Sequence, residues 1–173
     1  MFDRATILEL FTELAGRLGR SGVKTNVYVV GGAAMALLYD DRRVTRDIDS
    51  VILDHHGPLT DAVRAIARER GLPSTWLNDQ AAAYVATGVD RGRTNVFDHP
   101  NLTVAAASPD HLLAMKLNAS RPSDVEDIRT LLELLGLDSL DAVESLRRRV
   151  FPDVDLSLRA RIILEDLLAD ERS

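Results

Sequence analysis

The sequence predicts an α+β protein: a small mixed sheet flanked by helices, with a helical C-terminal half. Three observations carry that expectation. Apolar residues recur at helical spacing near the N-terminus and again through most of the chain after residue 108. Short β-branched runs bounded by glycine, proline or asparagine occur only between these regions. No internal repeat or low-complexity linker interrupts the 173 residues. The expected division is an α/β core over residues 1–107 and a helical region over 108–173, packed as one unit.

Residues 3–20 read as an amphipathic helix. Ile7, Leu8, Phe11, Leu14, Ala15 and Leu18 share a face, Asp3 suits the N-cap, and Gly19 and Gly22 close it. "NVYVVGG", Asn26 to Gly32, is an apolar strand ending in two glycines, and "AAMALLYD" then reads as a helix. A second strand is expected over about 46–53, and a helix from Pro58 with Val63, Ile66 and Ala67 inward and Gly71 as its stop. The alanine-rich stretch Trp76 to Ala86 is expected to be helical. "RTNVFD" and "NLTVAAAS" form a strand pair turning at His99-Pro100-Asn101. Ser108-Pro109 is an N-cap with proline at the first helical position, leading into "DHLLAMKLNAS". Ser123 with Glu126 makes a capping box for "DVEDIRTLLELLG", and amphipathic helices follow at about 139–150 and 157–170.

Bulk properties narrow the function. The composition, 46% hydrophobic and 28% charged, is that of a soluble globular protein. There is no apolar run of membrane-spanning length and no signal-peptide pattern. With no cysteine, disulfides and thiolate metal sites are excluded, and a cytoplasmic location is expected. A net charge of -6 argues against wholesale nucleic-acid binding while leaving room for a local basic patch. Lysine occurs only at Lys24 and Lys116, which singles out Lys116 within "LLAMKLNA".

The chemistry concentrates in "RVTRDIDSVI", Arg43 to Ile52. In an extended strand, Asp47 and Asp49 share one face while Ile48 takes the other, their Cα atoms roughly 6.5 Å apart. Two such carboxylates suit Mg²⁺ or Mn²⁺, with substrate phosphates completing the shell. A bare D-x-D is also satisfied by solvent, or by Arg43 and Arg46. The residues upstream change the weighting. Gly31-Gly32 lies between a strand and a helix, where backbone amides approach a phosphate. Strand, glycine turn, helix, basic loop and acidic strand together read as one nucleoside-triphosphate site.

"GGAAMALLYDDRRVTRDIDSVIL" resembles the signature of the nucleotidyltransferase superfamily with a DNA polymerase β-type core. The fuller resemblance is to bacterial nucleotidyltransferases related to the AbiEii and MenT toxins. It covers almost the whole chain through "GG", "R-x-T-x-D-I-D", "WLND" and "SPDHLLAMKLNASRPSDVEDI". It implies a metal-dependent enzyme with Asp47 and Asp49 as metal ligands. Lys116 and Asp127 would contribute to catalysis, and Gly31, Gly32, Arg43, Thr45, Arg46, Arg121 and Asp124 to substrate binding. It further implies a nucleoside triphosphate as substrate, addition of its nucleotide to the 3′ end of tRNA, and restraint by a cognate antitoxin protein. Nucleotidyl transfer to a protein or small molecule, and a catalytically silent binding protein, are the rival expectations. Ala33 departs from the pattern, because polymerase β-type enzymes often place a serine after the glycines.

Read on residues alone, Lys116 equally suits a snorkelling surface position, and Asp124 and Asp127 equally suit helix N-terminal charges. Asp124 could also take the part given to Asp127. A third carboxylate on a later strand would be Asp90 or Asp98. His55, His56, His99 and His111 show no metal spacing, with His111 expected on a helix surface. Trp76 suits the core, or stacking on a base. The "LRRR" run, Leu146 to Arg149, suits a solvated helix end or contact with an RNA backbone.

Overall fold

A computed structural model describes residues 1–86 and 88–170. The chain is a mixed α/β protein that divides into two compact units. The first comprises Met1–Tyr84 and Arg93–Ala107, and the second the described parts of 85–92 and 108–173.

The first unit carries the sheet. Its strands are β1 (Thr25–Val29), β2 (Ile48–Ile52), β3 (Leu77–Asn78), β4 (Thr94–His99) and β5 (Leu102–Ala106), in spatial order β3-β2-β1-β5-β4. β1 runs antiparallel to β2 and parallel to β5, β3 is parallel to β2, and β4 is antiparallel to β5. Helix α1 (Arg4–Arg20) is capped by Asp3, whose Oδ1 accepts from the Thr6 amide at 2.8 Å. It lays Ile7, Leu10, Phe11, Leu14 and Leu18, all buried, toward β4 and β5, with Phe11 and Phe97 rings 5.8 Å apart. The helix after the glycines, α2 (Gly31–Ala34), continues as a wider turn through Met35–Tyr39. Helix α3 (His56–Arg70) packs on α1 and ends at Gly71 in the left-handed conformation, as the glycine stop predicts. Arg17 pairs with Glu69 and Arg70 with Glu13 across the α1–α3 seam, and Arg17 also pairs with Glu13 within α1.

Three expectations change here. Residues 76–86 are not a helix: Leu77 pairs with Ile48 as β3, and a 3-10 turn follows over Gln80–Ala83. Tertiary demands override alanine's helix propensity. The Trp76 carbonyl accepts from the Ile48 amide at 2.7 Å, and its indole Nε1 donates to the Val63 carbonyl at 3.0 Å. Both bonds fix Trp76 in the core, fully buried. The Ser123–Glu126 capping box also gives way, because Ser123 lies inside a 3-10 turn over Pro122–Asp124 and the helix begins at Val125. Finally, β2 begins at Ile48, so Asp47 stands in the bend before the strand.

The second unit is built of helices α4 (Pro109–Ala119), α5 (Val125–Leu135), α6 (Leu140–Val150) and α7 (Leu158–Asp170). Ser108 caps α4 by accepting from the His111 amide, with Pro109 at the first helical position. α4 packs against both α5 and α6, burying Leu112, Leu113, Leu117, Ile128, Leu131, Val143 and Leu146. No described helix is long and apolar enough to cross a membrane.

Asp54 ties the far end of the β1–β2 pair. Its carboxylate accepts from the Asn26 amide at 2.9 Å and the Asn26 side chain at 3.0 Å, and also from the Thr25 hydroxyl. Burial alone would raise its pKa, but the hydrogen bonds from Thr25 and Asn26 outweigh it and hold the carboxyl below the ordinary 3.8. A depressed folded pKa stabilises the protein above the unfolded value and is lost as pH falls through the folded one. Asp54→Ala is therefore expected to lower the melting temperature at pH 7. Thermal denaturation followed down to pH 2 should show the deficit closing below about pH 4.

Candidate active site

The antiparallel register of β1 and β2 builds the candidate site. Val29 lies opposite Ser50, and the Val30 amide donates to the Asp49 carbonyl at 3.0 Å. The outgoing end of β1 thus meets the incoming end of β2, and the glycine turn falls beside Asp49. Along β2, Ile48 and Ser50 are buried while Asp49 and Val51 are half-buried, the period-two alternation of a strand. Asp49 therefore points away from the face that buries Ile48.

Gly31 adopts φ +61°, which costs an L-residue about 1–2 kcal/mol. A Cβ on Gly31 would lie 3.4 Å from Asp49 Oδ2. One on Gly32 would lie 3.0 Å from Thr45 Oγ1 and 3.8 Å from Arg43 Nη2. The bare glycine backbone is what lets the carboxylate, the hydroxyl and the guanidinium close around the turn. Amides in the first turn of a helix have no intrahelical acceptor, so this cradle presents donors as well as charge.

The loop bearing Arg43, Thr45, Arg46 and Asp47 is pinned at two points. Thr45 exchanges both backbone hydrogen bonds with Phe2, at 2.7 and 2.9 Å, and its hydroxyl donates to the Asp47 carbonyl at 2.9 Å. Phe2 is 4% exposed and serves as the anchor. The sequence pattern gave no sign of Phe2, because its bridge to Thr45 spans 43 residues and belongs to no strand. Asp47 and Arg46 are exposed, and Arg43 and Thr45 half-buried. Ala33 is 1% exposed and turned into the core, so the hydroxyl beside the glycines comes from Thr45.

The sheet places no third carboxylate next to Asp49. Val29 pairs with Ala106 across β1, so the neighbouring end of β5 offers Ala106 and Ala107. Asp98 lies opposite Thr103 on edge strand β4, level with Asn26 at the other end of β1. β4 stands three strand spacings from β2, roughly 14 Å. Asp90, in the second unit, accepts from the amides of Ser108 at 2.8 Å and Gly92 at 3.1 Å. Among the described residues no group of three or more His, Cys, Asp and Glu side chains converges as metal ligands. Asp49 on the strand and Asp47 in the bend before it are the carboxylates at this end of β2.

The second unit gathers Lys116, Asp124 and Asp127. Lys116 Nζ lies 3.0 Å from Asp124 Oδ1 and 2.7 Å from Asp127 Oδ2, and all three residues are less than 10% exposed. Lys116 is therefore a buried ion-pair residue rather than a snorkelling one, and both aspartates are engaged. Arg121 is exposed at the preceding turn, its carbonyl accepting from the Asp124 amide at 2.9 Å.

Nearby, His111 is not a free surface residue. Its Nδ1 lies 3.2 Å from Ser108 Oγ and 3.4 Å from Asp90 Oδ1. Both partners meet the same ring nitrogen, so this trio lacks the relay geometry of a nucleophilic triad.

A family model described as "Nucleotidyltransferase of unknown function (DUF6036)" matches residues 5–161. The chain belongs to that family. The match runs through both units and takes in the glycine turn, the Asp47–Asp49 stretch and the Lys116–Asp127 cluster of this DUF6036 member. No curated protein matches the chain.

Removing the lysine withdraws the cation that lies within 3.0 Å of both buried carboxylates. Lys116→Met is expected to destabilise the protein by about 3–5 kcal/mol. Urea denaturation of the variant against the unmodified chain measures the loss.

Proposed function

We propose that this DUF6036 nucleotidyltransferase is a Mg²⁺- or Mn²⁺-dependent enzyme that transfers a nucleoside monophosphate from a nucleoside triphosphate to an acceptor hydroxyl. The observation that carries the reading is the convergence of the Gly31-Gly32 turn with Asp49, Thr45 and Arg43. Glycine amides and a guanidinium form a phosphate cradle, and a carboxylate on its rim recruits a cation.

Asp47 and Asp49 would hold the ion, which when bound neutralises phosphate charge and lowers the pKa of the attacking hydroxyl. The chain's own residues do the positioning. The glycine amides fix the phosphates, with Arg43 and Arg46 offsetting the charge that grows on departing pyrophosphate. Thr45 packs beside Gly32 and braces the loop by donating its hydroxyl to the Asp47 carbonyl. The hydroxyl gives up its proton to solvent as its oxygen bonds to the α-phosphorus, and the bond from that phosphorus to the oxygen bridging it to the β-phosphorus breaks, so that pyrophosphate leaves. No covalent enzyme intermediate is required.

The R-x-T-x-D-I-D stretch and the block from Ser108 to Ile128 support the 3′ end of tRNA as acceptor, with a block of translation as consequence. The same stretches support a toxin restrained by an antitoxin protein, acting in the cytoplasm. Lys116, Asp127, Arg121 and Asp124 enter as a second group whose charges serve the reaction as well as the fold.

Incubation with each labelled nucleoside triphosphate, Mg²⁺ and total RNA tests the reading. Label is expected in RNA of tRNA size, with Asp49→Asn reducing incorporation at least ~100-fold while the melting temperature is kept. Label in protein or a small molecule would replace the tRNA assignment. No incorporation, together with no melting shift from any triphosphate, would instead make the chain a silent binding protein. Asp127→Asn in the same assay separates a catalytic part for the second group from its structural one.

A further inference from the structure

The "LRRR" run does not behave as one solvated helix end. On α6, Val143, Leu146 and Arg147 occupy the i, i+3 and i+4 positions of one face, and all three are buried. Arg147 is 2% exposed, at a position where the helix pattern calls for an apolar side chain. Its Nε donates to Asn118 Oδ1 at 3.2 Å, while its Nη2 is buried with no hydrogen-bond partner among the described residues. Burial pushes its pKa below the usual arginine value. An unmatched NH2 group on a buried cation is costly, so its retention calls for a reason.

A cavity of about 110 Å³ adjoins it, lined by Glu144, Arg147, Arg148, Asp155, Leu156 and Arg161. Three guanidiniums there face two carboxylates. Glu144 is already shared between Arg161 at 2.7 Å and Arg148 at 3.4 Å, so the lining keeps a net positive charge. The volume is well below the ~300–1,000 Å³ of sites that enclose whole organic ligands, and fits a small anion. Guanidinium forks match the oxygens of a phosphate group in a bidentate way.

We propose that this cavity in the helical unit is a phosphate-binding site. Arg147 is its buried donor and Arg148 and Arg161 are its exposed jaws. The inference does not rest on nucleotidyl transfer, because it uses none of the residues assigned to that reaction.

Thermal denaturation of the full chain tests it with inorganic phosphate, adenosine monophosphate and a short single-stranded RNA lacking terminal phosphates. Each is compared with sodium chloride at equal ionic strength. Phosphate-bearing probes are expected to raise the melting temperature by a few degrees beyond chloride. Response to the first two points to a terminal or free phosphate, and response to RNA to a backbone phosphodiester. Arg147→Met should abolish the response while leaving the phosphate-free melting temperature level or higher, since an apolar isostere suits a buried position. If that variant does not fold, the pair Arg148→Gln and Arg161→Gln carries the same test from the exposed side. Shifts no greater than with chloride would overturn the proposal. So would a shift that survives in the arginine variants, because it would report a phosphate bound elsewhere.

Discussion

The register between β1 and β2 is the constraint on which the candidate site depends. Pairing Val29 with Ser50 sets the Val30 amide on the Asp49 carbonyl and brings the glycine turn to the start of the acidic strand. A slip of one residue would turn Asp49 into the face that now buries Ile48 and Ser50. The apolar alternation of β2 therefore specifies the site as firmly as the aspartate itself. Asp54 secures the opposite end of the same pair, so the register is held at both ends.

Within that frame, each residue at the turn has a reason for its type. Gly31 needs a left-handed backbone, and Gly32 needs the absence of a Cβ against Thr45. The loop that delivers Thr45 and Arg43 is irregular, and it is ordered by its two-way backbone pairing to Phe2. This arrangement explains how the chain keeps a hydroxyl at the turn although Ala33 faces the core. The two charged clusters of the helical unit follow a different logic. Lys116 is buried because two carboxylates match it, whereas Arg147 is buried with its Nη2 amino group unmatched. A satisfied triad needs no further partner to explain its burial, while the orphaned guanidinium beside a polar cavity does.

Much of the architecture was legible in the sequence. The strands at 25–29, 48–52 and 94–106, the Asp3 and Ser108 caps and the Gly71 stop all follow from local periodicity and turn chemistry. The glycine turn and the aspartates were legible as motifs, and the structure brings Asp49, Thr45 and Arg43 beside the glycines. What escaped was decided by long-range contacts. Trp76 and Leu77 form a strand because Ile48 and Val63 hold them, which no local window over an alanine-rich stretch reveals. Asp47 leaves the strand because the Thr45 bridge to Phe2 and the Thr45–Asp47 bond shape a bend there. Arg147 carried a local signal that a reading of the arginine run as one group obscured: it sits at the core position after Val143 and Leu146.

The most direct test of the account asks where a divalent cation binds. With an isotope-labelled chain of 19.0 kDa, Mn²⁺ titrated in the presence of a non-hydrolysable triphosphate broadens the amide resonances nearest the bound ion. The account predicts that Gly31, Gly32, Thr45 and Asp49 broaden first, and that Asp49→Asn removes the effect. Broadening that begins elsewhere, or that persists unchanged at these amides in Asp49→Asn, would contradict it.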